Sequence, residues 1–196
     1  MSAQRMAKTY GIRTVRSAYV ESAEAAKRFA GNSRIVLKAI PNVPAHKSKS
    51  GLVAVGIDVH GIESAFRDIS ARAKKYGAYK MLAQDMVSGT EIILGGKKDA
   101  QFGKMVLIGL GGIYVEAFKD FALRLCPISK HDALDMIDQL RSRVVVAPDA
   151  KSRSEIADLI VKVSKMYSNS RIDELDLNPV ILHDGTYDAV DLRMIE

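Results

Sequence analysis

The chain has no tryptophan, a single cysteine, and aromatic residues at only 6%. A lone Cys126 cannot close an internal disulfide and leaves no cysteine cluster for a metal. That usage suits a reducing compartment, so a cytoplasmic protein is expected. The shortage of aromatic rings leaves no stacking platform for single-stranded nucleic acid. Long apolar runs are missing too: nothing approaches the roughly 18 residues that a membrane span needs, and no membrane partner is expected. Residues 1–30 hold no signal-peptide core. The four histidines, His46, His60, His131 and His183, show no zinc-ligand spacing.

What is present is ordinary globular material with a basic excess. The 196 residues allow one domain or two small lobes at roughly 150 residues per domain. Lys and Arg number 29 against 23 Asp and Glu, giving a formal charge of +6. The basic residues are scattered rather than gathered into a stripe or a basic helix, which argues against nucleic acid as a partner. A diffuse positive field suits anionic small molecules such as nucleotides or coenzyme A.

Strand and helix signals alternate along the chain. A helix is expected to end at Gly11, followed by a short strand over Thr14–Val20. Ser22 is placed to cap a helix over Ala23–Phe29, and Arg34–Ile40 reads as a strand. Leu52–Val59 and Lys80–Val87 are further strands flanking a helix over Gly61–Lys75. Glu91–Leu94 and Lys104–Ile108 follow, with Ser88-Gly89 and Gly95-Gly96 expected as turns. Ser129 caps a helix over Lys130–Leu140, and a second long helix runs from about Glu155 to Met166. Leu175–Leu182 and Tyr187–Met194 close the chain as a hairpin around Asp184-Gly185. The expected class is α+β, in two lobes divided as 1–85 and 86–196.

Several motif matches fail. Gly109-Leu110-Gly111-Gly112-Ile113-Tyr114 lacks the last glycine of a dinucleotide fingerprint, and Gly96-Lys97-Lys98 lacks the ends of a P-loop. Three features remain, each with two readings. Lys38 lies mid-strand in an apolar run, either snorkelling off an edge strand or meeting a nucleotide phosphate. The stretch Gly103–Asp120 is either a plain glycine-rich turn or a close approach of backbone to a ligand, with Glu116 and Asp120 on one helical face. Asp176, Asn178 and Asp191 are either solvated hairpin positions or hard oxygen donors for Mg²⁺.

Taken in order, these motifs resemble an ATP-grasp domain, specifically the β subunit of ADP-forming acetyl-CoA synthetases (acetate–CoA ligase, ADP-forming), relatives of succinyl-CoA synthetase. The resemblance rests on Tyr10-Gly11-Ile12, Val36-Leu37-Lys38-Ala39, His46-Lys47-Ser48, Gly89 to Gly95, Phe102-Gly103-Lys104, Gly109 to Ile113, Glu116 with Asp120, and Leu175-Asp176-Leu177-Asn178-Pro179 followed by Asp191. It implies an ATP-grasp fold, two lobes with a nucleotide cleft between them, using ATP/ADP and Mg²⁺. Lys38 then matches the lysine that contacts phosphates. Gln84, Asp85, Met86 and Val87 match the hinge that holds adenine, and Glu91 a nucleotide-contacting glutamate. His46 to Gly51, with Lys47, match the phosphate-covering loop. Asn178 and Asp191 match the magnesium pair, and His46, Asp176 and Glu116 the catalytic groups, His46 as a phosphoryl acceptor.

The implied partner is a CoA-binding α subunit in an α2β2 hetero-oligomer. Leu52 departs from the family pattern by replacing the second glycine that usually ends the loop, and so bears on loop freedom. Two other functions are compatible with the residues: an ATP-grasp carboxylate–amine ligase, and a regulatory module that binds nucleotide without catalysis. His46 discriminates against the first, which needs no histidine acceptor.

Overall fold

A computed structural model describes residues 3–41, 51–112 and 119–195. The chain divides into two compact units, Val15–Val87 and Met1–Thr14 with Ser88–Glu196. Among the described residues no helix is long and apolar enough to cross a membrane.

The unit Val15–Val87 is an antiparallel sheet of four strands, β1 (Ser17–Tyr19), β2 (Ile35–Pro41), β3 (Val53–Ile57) and β4 (Tyr79–Asp85), in the order β1-β4-β2-β3. With α1 assigned to Ala3–Thr9 of the other unit, this one contains α2 (Ala23–Ala30) and α3 (Ile62–Ala73). Ser22 caps α2 as expected, its Oγ accepting from the Ala25 amide at 3.2 Å. Strand alternation turns Ile35, Leu37 and Ala39 of β2 and Met81 and Ala83 of β4 into one core with Ala26, Ala30, Ile62, Ile69 and Ala73 of the helices. Leu52 is fully buried in that core, and its carbonyl accepts from the Ala39 amide at 2.8 Å. The residue that departs from the glycine pattern is therefore a core anchor, inserted where the chain enters β3.

The second unit is built on a six-stranded antiparallel sheet. Its strands are β5 (Thr90–Asp99), β6 (Gly103–Leu110), β7 (Phe121–Leu125), β8 (Glu174–His183), β9 (Thr186–Ala189) and β10 (Leu192–Ile195), ordered β10-β8-β5-β6-β7 with β9 also on β8. Helices α4 (Lys130–Gln139), α5 (Arg143–Val146) and α6 (Ala150–Ser168) complete it. Ser129 and Asp132 form a capping box on α4. The core joins Ile92, Leu94, Val106 and Ile108 of the sheet to Met136, Ile137, Ile160 and Val163 of the helices.

Residues 1–14, expected in the same lobe as residues 15–85, cluster instead with Ser88–Glu196. Ala7 and Ile12 lie in that core, Thr14 bridges Ala189 in parallel, and Arg13 donates to Thr186 Oγ1 at 2.8 Å.

Three local expectations are corrected. Gly95-Gly96 is no turn but the middle of β5, and the Tyr167 ring packs so closely on Gly96 that a Cβ there would stand 2.8 Å from it. The run Tyr187–Met194 is two strands, β9 and β10. Helix α6 begins at Ala150 rather than near Glu155, because Asp149 caps it by accepting from the Ser152 amide at 2.7 Å. Strand β7 and helix α5 carried too weak a period to be anticipated.

Truncating a fully buried leucine leaves a cavity as well as losing its transfer energy. Leu52→Ala is expected to cost about 2–5 kcal/mol in urea unfolding followed by circular dichroism. A loss below about 1 kcal/mol would contradict the anchoring role.

Candidate functional site

In the unit Val15–Val87 the structure groups two of the expected residues. Alternation points Ile35, Leu37 and Ala39 into the core, so Val36 and Lys38 lie on the opposite face. On β4 the same argument puts Leu82 and Gln84 on that face. Lys38 pairs with Leu82 and Val36 with Gln84, making Lys38 and Gln84 diagonal neighbours about 7–8 Å apart. Both are buried, at 7% and 2% exposure. Strand β2 lies between β4 and β3, so Lys38 cannot be snorkelling off an edge strand.

Asp85 ends β4 in a bidentate pair with Arg16, at 2.9 and 2.8 Å, and the Arg16 guanidinium stacks over Phe29. Met86 and Val87 continue the chain outside any strand, with the Met86 side chain lying over Gly56. The Gly51 carbonyl accepts from Arg72 Nη1 at 3.2 Å. His46, Lys47 and Glu116 lie outside the described residues.

In the second unit Glu91 stands at the start of β5, opposite Ile181. The Gly111 amide donates to its carbonyl at 2.7 Å. The Glu91 carboxylate lies over Gly112, whose φ is +71°, with Oε2 only 3.1 Å from where a Cβ would be. The glycine pair is thereby explained: side chains at 111 and 112 would displace Glu91. Asp120 has a structural part rather than lying solvated. It accepts from the Arg141 amide at 2.9 Å and the Ser142 amide at 2.8 Å, fixing the turn ahead of α5. Burial pushes its carboxyl up, but Ser142 Oγ and those two amides outweigh it and hold the group below the usual carboxylate range.

Asn178 occupies a bulge. Ile92 pairs with Val180 and Leu94 with Leu177, so Ile93 alone faces Asn178 and Pro179. On the other edge of β8, pairing passes from β10 to β9 at the same two residues. There the Asn178 amide donates to the Asp191 carbonyl at 3.1 Å and the Val190 amide to the Pro179 carbonyl at 3.0 Å. Two backbone bonds thus hold Asn178 and Asp191 side by side.

Asp176 pairs in register with Arg193. Burial pushes the Asp176 carboxyl up, Arg193 draws it down, and the nearby Asp191 charge raises it again. One amide oxygen and one carboxylate, both hard donors, fit Mg²⁺, which keeps waters and phosphate oxygens for its remaining positions. Among the described residues no group of three or more His, Cys, Asp and Glu gathers as a metal cluster. Arg193 was missed from the sequence. Counting back from the hairpin turn would have found it only if the β9–β10 break were known.

Comparison with known proteins adds to this geometry. The family model of the ATP-grasp domain matches residues 1–195. The β subunit of an ADP-forming acetate–CoA ligase I of Pyrococcus furiosus is 34% identical over 98% of this chain and 89% of its own length. The ADP-forming acetate–CoA ligase I of Archaeoglobus fulgidus is 35% identical over 82% of this chain, which spans only 25% of that protein. Among solved structures, the dinucleotide forming acetyl-coenzyme A synthetase 1 of Ca. Korarchaeum cryptofilum, in complex with coenzyme A and Ca-AMPCP, gives a TM-score of 0.88 at 30% identity. The match covers 98% of this chain and 90% of that one. The same enzyme with coenzyme A and Mg-AMPPCP, its phosphohistidine segment pointing towards the nucleotide binding site, gives 0.83 at 28%, over 98% of this chain and 89% of that one.

The Asp120 cap has a pH signature. A carboxyl held below its unfolded value stabilises the fold above the unfolded pKa, and that contribution is lost as pH falls through the folded pKa. Asp120→Asn should therefore cost about 1–3 kcal/mol at pH 7. In thermal unfolding the gap from wild type should close as the pH drops below the ordinary carboxylate range; a constant gap would contradict it.

Proposed function

This chain belongs to the ATP-grasp family, and on that premise we propose that it is the nucleotide-binding β portion of an ADP-forming acyl-CoA ligase. The overall reaction is acyl-CoA + ADP + phosphate ⇌ carboxylate + CoA + ATP. This chain takes the phosphoryl step, in the cytoplasm, as the β partner of a CoA-binding α subunit in an α2β2 assembly. The observation that carries the reading is the backbone clasp of Asn178 and Asp191 at the β8 bulge, beside Asp176, which we read as a two-oxygen site for magnesium.

The roles combine this geometry with the family resemblance. Lys38, buried on an interior strand, places its ammonium on the nucleotide phosphates as an electrostatic clamp. Gln84 to Val87 hold the base where β4 ends, and Glu91, fixed over Gly112, contacts the nucleotide. Asn178 and Asp191 hold Mg²⁺, which when bound neutralises phosphate charge. His46 receives the phosphoryl group from a phosphohistidine of the partner. One P–N bond breaks as another forms, and the departing imidazole takes up a proton. The group then passes to a terminal oxygen of the ADP β-phosphate.

Lys47 and Lys49 follow His46 in sequence and favour the phosphorylated ring, while Gly51, Asp176 and Glu116 complete the site. The charge distribution supports an anionic ligand. Basic residues outnumber acidic ones two to one in Val15–Val87 and balance them elsewhere, so the whole +6 falls on the unit carrying Lys38.

Lys38→Ala should weaken ADP·Mg²⁺ binding by about 1.5–3 kcal/mol in calorimetry, the scale of a charge-assisted hydrogen bond. Asp191→Asn should lower the dependence of binding on Mg²⁺. Equal affinities and an unchanged metal requirement would overturn the assignment.

His46→Ala should bind ADP normally yet lose phosphoryl transfer from the α subunit by several orders of magnitude. Acid-labile label on this chain after incubation with phosphorylated partner is the direct readout. Label confined to the partner would remove His46 from the mechanism.

A further inference from the structure

The face of the six-stranded sheet turned away from its helices is not finished as a solvent surface. Ala122, Val106 and Ile108 point into the core, so Phe121, Leu123 and Leu125 of β7 and Met105 and Leu107 of β6 stand on the opposite side. Phe121 is 53% exposed, Leu123 40%, Leu125 51%, and Ile195 at the far edge 54%. Register aligns them in rows across the strands. One row runs Ile195, Glu174, Lys97, Met105, Leu125; the next runs Arg193, Asp176, Gly95, Leu107, Leu123.

The second row lacks a side chain at its centre. A Cβ built on Gly95 meets nothing closer than the Leu175 carbonyl at 3.6 Å, so the space above it is open. Around that gap lies a cavity of about 520 Å³, floored by Met105, Leu107, Leu123 and Ile195. Its polar rim is balanced: Lys97 lies 3.9 Å from Glu174, and Arg193 is paired in register with Asp176.

We infer that this cavity seats an apolar side chain of a partner polypeptide, the CoA-binding subunit, docked on the outer face of the sheet. The identity of that partner rests on the function proposed above; the cavity and its chemistry do not. A neutral rim gives a free polyanion nothing to gain, whereas an apolar floor with exposed leucines beside it is the anatomy of a protein interface core. Position supports the same occupant. Asp176 belongs both to the cavity wall and to the strand that carries the Asn178 bulge, so a chain anchored over Gly95 is held next to the proposed metal pair. The Archaeoglobus relative carries the matching region as a quarter of a longer chain, so there such a face has further polypeptide available to cover it.

Gly95→Leu tests this, because the open space accepts the side chain and fills the cavity without disturbing the core. The probe is the purified CoA-binding α subunit from the same organism, with association followed by sedimentation velocity and ADP·Mg²⁺ binding by calorimetry. Gly95→Leu should weaken association at least tenfold and leave ADP·Mg²⁺ affinity within twofold of wild type. Leu123→Asp, an exposed site where folding is not at stake, should do the same, with unchanged melting as the control.

Normal association by both variants would overturn the inference. So would loss of ADP·Mg²⁺ binding with association intact, which would assign the cavity to the nucleotide. A self-association of this chain abolished by Gly95→Leu would overturn the choice of partner in favour of a second copy. Wild type that binds ADP·Mg²⁺ but not the α subunit refutes the docking and spares the nucleotide reading; wild type that binds no nucleotide refutes that reading instead.

Discussion

Strand β8 can pair with only two neighbours, and one of its edges is divided between β9 and β10. At the hand-over the ladder cannot run on regularly, so the sheet places its irregularity there: a bulge against β5 on one side and a two-residue crossing of the chain on the other. Proline, which gives the ladder no donor, is tolerated at such a point. The same interruption lets Asn178 and Asp191 stand together on a framework rigid on both sides. On the function proposed above this is the support a metal pair would need, since a donor misplaced by an ångström loses much of its value. The hydrophobic packing of Leu177 and Val180 below the bulge is what keeps the hand-over fixed.

Lys38 shows the complementary device in the other unit. Its charge is held low in exposure by neighbouring strands, on the face that the helices do not occupy. Burying a charged group carries a desolvation cost that the fold itself has to offset. On the function proposed above, a cation fixed in this way would meet a phosphate with little further reorganisation.

Much of this was legible in the residues, and the gaps have physical causes. Ser22 and Ser129 announced their helices because a cap is a local interaction, satisfied within one turn. Asp184-Gly185 announced its hairpin for the same reason. Asn178, Asp191, Lys38 and Glu91 were proposed from their order along the chain, and the structure adds that Gly111 and Gly112 lie beside Glu91. Gly95-Gly96 misled because a glycine pair signals either a turn or a close approach, and the ring of Tyr167 that decides the matter comes from a distant helix. The division of Tyr187–Met194 into two strands was equally hidden. Alternation encodes which face a residue takes, not which strand it will meet.

The placement of the first fourteen residues has a consequence for how the molecule is made. Ala7 and Ile12 belong to a core whose other members extend to Ala189, and Thr14 finds its strand partner there. Residues 15–87, by contrast, contain their own core, and Arg16 and Asp85 tie the two ends of that stretch together. The stretch Val15–Val87 can thus complete its own core, whereas the segment ahead of it depends on partners as far along the sequence as Ala189. Contacts closed over so long a stretch of sequence are slow to form, so the segment ahead of Val15 is expected to reach its native place after the stretch that follows it.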